Sequence, residues 1–165
     1  MLCISPCDQM SEDKIKILKT KEDVEKYLIE ILRLKPKLLA FDYQTTAHGE
    51  RQRIIACSMC WQLIRSVSWE WKNTDIKLFR KVLESGDIGK PVLYHEQEIK
   101  LTATSIPRTK INGLIKYEYP IIIKSIMKFS KLIESPERLL KHCARNSLRK
   151  YKLTADQIIE LGIIL

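Results

Sequence analysis

No apolar run in this chain of 165 residues approaches the ~20 residues a membrane-spanning helix requires, so no span is expected. The opening residues, Met1-Leu2-Cys3-Ile4-Ser5-Pro6-Cys7, lack the basic start and long apolar core of a secretory signal. A soluble protein in a reducing, cytoplasmic setting is the expectation. The five cysteines are poorly spaced for a metal framework. Cys57 and Cys60 have CxxC spacing, but no Cys/His set has the spacing of a zinc finger. Both fall within residues 53–61, an apolar stretch that reads as a buried strand, where side chains three apart leave from opposite faces. Free, buried thiols follow. Repeats, low-complexity tracts and a linker long enough to divide domains are also missing. One domain over residues 14–165 is therefore expected, after a flexible segment at residues 1–13.

What remains is globular in character. Hydrophobic residues make up 45% and charged residues 30% of a 19.3 kDa chain, enough for a real core. Lys and Arg number 29 against 20 Asp and Glu, giving a net charge of +9 and a pI of about 9.3. That excess favours a polyanionic partner, nucleic acid first, although many small proteins are basic.

Periodicity orders the elements. Ile15–Leu18 reads as a short strand. Thr20 then caps a helix in which Val24, Tyr27, Leu28, Ile31 and Leu32 recur at helical spacing, with Asp23 completing an approximate capping box. Pro36 ends that helix and residues 38–43 form the first core strand. Residues 53–61 and 64–71 form an antiparallel pair, residues 76–83 a second amphipathic helix, and residues 91–95 another strand. Residues 102–113 carry turn-like and basic residues with no clear period. Residues 120–134 read as an amphipathic helix. Ser135 and Pro136 then start a last helix through Tyr151, with Thr154-Ala155-Asp156 continuing or restarting it.

On that last helix, Arg138, Lys141, Arg145, Arg149 and Lys152 fall within a stripe about 80° wide. Leu140, Cys143, Ala144, Ser147 and Tyr151 fall opposite and would bury. Such a face is either merely solvated or a phosphate contact. Mixed signs would give favourable pairs one turn apart, so a one-sign stripe points toward phosphates, and toward single-stranded DNA or RNA as partner. Trp69 and Trp71 share one strand face, as a base-stacking platform or as packing.

Three segments carry more specific chemistry. Lys37-Leu38-Leu39-Ala40-Phe41-Asp42-Tyr43-Gln44-Thr45-Thr46 runs an apolar strand into an acid, a spaced polar residue and two threonines. Asp42 and Gln44, two apart on a strand, project from one face. Lys90-Pro91-Val92-Leu93-Tyr94-His95 ends a second strand on a histidine. His142 and Asn146, four apart, share a helix face. In this order the segments resemble the three motifs of the 3′–5′ exonucleases of the DEDD, RNase H-like superfamily, and are similar to the proofreading domain of family A DNA polymerases.

The resemblance implies an α/β fold, an RNase H-like mixed β-sheet flanked by α-helices. It implies catalytic positions at Asp42, Gln44, His142 and Asn146, and Mg²⁺ or Mn²⁺ as cofactor if the site is active. Two-metal hydrolysis relies on carboxylates to hold the ions. Here Gln44 stands in the place of a Glu and Asn146 in the place of an Asp, each a dipole instead of a charge. Aligned without gaps, the second motif puts Glu96 on an Asn and Lys100 on the metal-binding carboxylate. Glu96 or Glu98 would serve only after a register shift. Of the carboxylate set, Asp42 alone keeps its place, as a weak metal ligand if any. Each residue also has a plainer reading, Asp42 as a turn cap and His142 and Asn146 as surface polar groups. Lys100 either pairs with Asp42 and excludes cations or extends into solvent.

The leading expectation is an exonuclease-like, nucleic-acid-binding pseudoenzyme, weak or inactive in phosphodiester hydrolysis. An active metal-dependent exonuclease, polymerase-associated or RNA-processing, is one alternative. A structural or protein-interaction module retaining only the fold is the other.

Overall fold

The computed structural model describes residues 14–46, 53–93, 97–117 and 136–160. The expected helix over 120–134, the segment 1–13 and residues His95 and Glu96 lie outside them. Strand β1 (Ile15–Leu18) leads into helix α1 (Lys21–Leu34), whose N-terminus is capped as the sequence predicts: the Asp23 N–H donates to Thr20 Oγ1 at 3.1 Å. Lys35, at φ 47°, closes the helix in the left-handed conformation, its N–H donating to the Ile31 carbonyl. Val24, Leu28 and Ile31 form the buried stripe. Strands β2 (Ala40–Thr45), β3 (Ile54–Gln62) and β4 (Arg65–Glu70) follow, then a 3₁₀ turn at Trp71–Asn73. Asp75 caps helix α2 (Ile76–Glu84), accepting from the Leu78 N–H at 3.1 Å.

The sheet is mixed, in the order β1-β4-β3-β2, with β1 parallel to β4 and the other pairs antiparallel. A second, parallel pair joins β5 (Lys90–Leu93) to β6 (Leu114–Tyr117). It continues from β2 through a bridge at Leu38 and Gly89, where Leu39 N–H donates to Gly89 O at 2.8 Å. A Cβ on Gly89 would stand 2.4 Å from the Lys37 carbonyl oxygen, so only glycine permits this join. Lys90 is fully buried and its ammonium donates to the carbonyls of Ser85, Ile88 and Asn112 at 2.7–3.0 Å. Burial pushes its pKa down to about 8.

Each sheet face has its own chemistry, set by the alternation of side chains. On one, Phe41, Tyr43, Cys57, Met59, Val67 and Trp69 pack with α1 and α2. On the other, Ala56, Ser58, Ser66 and Ser68 meet helix α4 (Pro136–Glu160). The hydroxyls of Ser58, Ser66 and Ser68 donate to the helix carbonyls of Cys143, Ala144 and Leu140 at 2.6, 2.7 and 2.8 Å. Small side chains on both sides let the helix lie close enough for those bonds. Cys57 and Cys60 are buried and free, on opposite strand parities as expected.

One expectation about the elements needs correction. The stretch 102–113, read as irregular, begins inside helix α3 (Gln97–Ser105), and strand β6, which the sequence pattern did not reveal, follows directly after that stretch. The buried face of α3 carries Glu98 and Thr102, so it shows no apolar period, and β6 is only four residues long. Of the two readings for residues 154–156, continuation holds: the Thr154 hydroxyl bonds to the Lys150 carbonyl and α4 runs on to Glu160. Of the two readings for the tryptophans, packing holds, but they do not share a strand face, because β4 ends at Glu70 and Trp71 opens the 3₁₀ turn. Trp69 is fully buried with Nε1–H donating to Thr74 Oγ1 at 2.8 Å. Trp71 lies edge-on to Phe79, ring centres 5.2 Å apart.

Candidate functional site around Asp42

The odd–even alternation of β2 sends Phe41 and Tyr43 into the core and Asp42 and Gln44 toward α4. From α4, residues one turn apart deliver His142, Asn146 and Lys150 to the same place. Helix α3 adds Glu98. Asp42 and Asn146, expected to converge, do: Asn146 Nδ2 donates to Asp42 Oδ2 at 3.3 Å. Gln44 Nε2 donates to the same oxygen at 3.1 Å, and the Cys143 thiol faces it at 3.8 Å. Burial, then the Asp42 charge, pushes that thiol well above the ordinary range, so it is an inert donor.

Lys150 is the centre of the arrangement. Its ammonium donates to Asp42 Oδ1 at 3.0 Å, to the Phe41 carbonyl at 3.1 Å and to Glu98 Oε1. All three ammonium protons are thereby used. The side chains of Lys150, Asp42 and Glu98 are only 6%, 12% and 7% exposed. Burial alone would lower the lysine pKa, but the Asp42 and Glu98 carboxylates outweigh it and hold the group above its usual range. Lys150 is therefore held as the charged ammonium at neutral pH. Glu98 Oε2 is buried and has no hydrogen-bond partner among the described residues.

His142 Nε2 lies 3.1 Å from Asn146 Nδ2. An amide nitrogen only donates, so Nε2 accepts and the proton sits on Nδ1. Burial lowers the imidazole pKa below 6.5, Asp42 partly offsets this, and Arg149 and Arg145 reinforce it. The unfolded chain therefore takes up this proton first. His142 contributes stability that is present above pH 6.5 and is lost as pH falls below it. An NMR titration should show a neutral Nδ1–H tautomer at pH 7 and a midpoint below 6.5. A midpoint above that value would show that Asp42 governs the ring instead.

The residues present do not fit a pair of divalent ions as they are arranged. A hard cation needs oxygen lone pairs. Gln44 and Asn146 turn their NH₂ groups toward Asp42, and a fixed ammonium fills the space between Asp42 and Glu98. Among the described residues, no group of three or more His, Cys, Asp or Glu is placed to hold a metal. The cation beside Asp42 is Lys150, not Lys100, which is exposed on α3. The α3 register brings Glu98 inward, the shift considered for the second motif. Lys150 escaped the sequence reading, yet it left a signal. It is in phase with Cys143 and Ser147 on the burying side of α4, where a lysine needs a carboxylate partner.

The basic stripe borders this site. Arg138 and Lys152 are exposed, while Lys141, Arg145 and Arg149 are partly buried. Lys141 lies 3.5 Å from Glu137 one turn earlier, so the stripe is not purely of one sign. No described helix is long and apolar enough to cross a membrane.

A mixed sheet with an acid on an inner strand and a long helix laid across it is the RNase H-like fold of 3′–5′ exonuclease domains. Solved structures bear this out. The EXO domain of Nibbler from Aedes aegypti superposes with a TM-score of 0.64 at 10% identity, over 94% of this chain and 93% of that one. The catalytic core of RRP6 from Trypanosoma brucei gives 0.69 at 8% identity, over 93% and 50%. Escherichia coli RNase D, an exoribonuclease involved in structured RNA processing, gives 0.67 at 10% identity, over 88% and 44%. The chain thus spans nearly all of the first and half or less of the other two. At these identities the likeness is one of fold. The sequence itself matches no protein-family model and no curated protein.

Proposed function

We propose that this is an exonuclease-fold domain that binds single-stranded nucleic acid and hydrolyses it weakly or not at all. The observation that carries the reading is the Lys150 ammonium between Asp42 and Glu98, where catalysis would need metal ions. The acidic pair is neutralised internally, and the amides of Gln44 and Asn146 act as donors to Asp42. The α4 stripe of Arg138, Lys141, Arg145, Arg149 and Lys152 supplies positive charge beside this site for a phosphate backbone. RNA is the favoured substrate class, because RNase D, of similar fold, is described as an exoribonuclease. No observation singles out a DNA polymerase context.

A second reading has one observation in its favour. Glu98 reaches the site, so an active exonuclease would have two carboxylates, Asp42 and Glu98, once Lys150 moved aside.

The test is binding of a labelled single-stranded oligonucleotide at several salt concentrations, with and without Mg²⁺ or Mn²⁺. Affinity should fall steeply with salt, and the strand should remain intact. Replacing Arg138, Arg145 and Lys152 together by Gln should lower the slope of log affinity against log salt by about 2, at roughly 0.7 per lost phosphate contact. Salt-independent or absent binding would leave only a structural module. Robust metal-dependent digestion would establish the second reading.

A further inference from the structure

We propose that the cleft between helix α1 and the β3–β4 hairpin binds a nucleoside phosphate, with Trp61 against the base and Lys16, Lys26 and Arg65 around the phosphate. The inference goes beyond the reading of the α4 stripe as a strand-binding face and does not depend on it.

The sheet register builds the cleft. Lys16 pairs with Val67 and Leu18 with Trp69, while Met59 pairs with Val67 from the other side. Met59, Val67 and Trp69 pack in the core beneath α1, so Lys16 and Leu18 leave from that face too. Arg65 and Trp61, two residues from Val67 and Met59, border the same space. Helix α4 lies across the opposite face, bonded to Ser58, Ser66 and Ser68. The stripe of Val24, Leu28 and Ile31 seats α1 on the core. The flank of the helix, with Asp23, Lys26, Tyr27 and Glu30, instead walls an open space of about 360 Å³ above Leu18 and Val67. That is the small end of the ligand-site range, roughly 300–1,000 Å³, and suits one small molecule better than a folded partner.

The lining answers each part of a nucleotide. Tyr27 and Trp61 are half-buried. The Tyr27 hydroxyl donates to the Met59 carbonyl at 3.4 Å and is hydrogen-bonded to the Trp61 side chain, so both rings are held in place. A fixed, partly exposed indole is a stacking surface for any base, since every base has a π-face. Lys16, Lys26 and Arg65 are exposed at the rim, and no ion pair among the described residues engages them. Asp23 and Glu30 border the same cleft and are also without an ion pair there. Opposite charges that line one space without meeting each other are available to a ligand carrying both kinds of partner. A phosphate answers the cations, and ribose hydroxyls or exocyclic amines answer the carboxylates. An acidic peptide would use the cations alone and leave Asp23 and Glu30 opposed.

The test titrates the full chain with AMP, adenosine and inorganic phosphate, followed by calorimetry and by the NMR signal of the Trp61 indole N–H. AMP should bind 1:1, shift that signal, and bind roughly tenfold or more tightly than either fragment, because only AMP engages both the ring and the cations. Trp61→Leu should weaken AMP binding roughly 5- to 150-fold, as loss of one base stack does, and Trp61→Phe should recover part of it. Trp61 is half-buried, so a second variant guards against misfolding. Lys26→Gln with Arg65→Gln, both at exposed positions, should remove most of the preference for AMP over adenosine and leave adenosine binding unchanged.

A single-stranded oligonucleotide added to the AMP complex identifies the source of the ligand. No displacement, the expected result for a cleft on the face opposite α4, makes it a free nucleotide. Displacement makes it one unit of a strand, and both results uphold the site. Absence of AMP binding at millimolar concentration overturns the proposal, as does AMP binding no tighter than phosphate alone. Binding unmoved by both the Trp61→Leu and the Lys26–Arg65 variants overturns it too. If a poly-glutamate peptide shifts the Trp61 signal and AMP does not, the cleft is a protein-docking groove and the proposal falls.

Discussion

Lys150→Met is expected to destabilise the fold by about 3–5 kcal/mol, the usual loss when one partner of a buried ion pair is removed. At this chain length that corresponds to a fall in melting temperature of roughly 6–20 °C. Methionine fills much of the lysine's volume, so the loss would report charge more than packing. Asp42 and Glu98 would be left buried in one another's field, each without the ammonium that now meets it. Part of the loss should return in a variant that also carries Asp42→Asn and Glu98→Gln, because a fully neutral cluster avoids the unpaired charge. Chemical denaturation of the three proteins measures both effects. If Lys150→Met alone is as stable as wild type, the cluster is wetter than its burial implies, and the internal neutralisation fails with it.

Trp69→Ala should destabilise by about 3–5 kcal/mol, as large aromatic truncations in cores do. The indole is fully buried against Tyr27, ring centres 5.8 Å apart, and its N–H is bonded to Thr74. A void would open between α1 and the sheet, while the α4 face, on the other side, would keep its serine bonds. Stability and binding should therefore separate. The folded fraction of the variant should bind oligonucleotide as wild type does when compared below its melting temperature. A drop in affinity without a drop in stability would revive the stacking platform.

Much of this protein was determined by local sequence alone. Thr20 and Asp75 cap their helices with side chains that can do little else there, and the alternation through residues 53–61 separates Cys57 from Cys60. The order of the three motif segments anticipated the fold, and the two-residue spacing of Asp42 and Gln44 anticipated that they share a face. These features depend on neighbours within a few residues, which periodicity and capping can report.

Only the tertiary structure decided what surrounds Asp42. Helix α3 was hidden because its buried face is polar: Glu98 and Thr102 are inside for their partners, Lys150 and Tyr43, not for their hydrophobicity. Lys150 was passed over because a lysine reads as surface, and its burial makes sense only beside two carboxylates 108 and 52 residues earlier in the chain. The cation that meets Asp42 was sought at Lys100 on motif alignment and found at Lys150 on packing. A pattern along the chain can say that a charge must be answered. Which residue answers it depends on how close Ser58, Ser66 and Ser68 let α4 lie to the sheet, and that distance belongs to the fold.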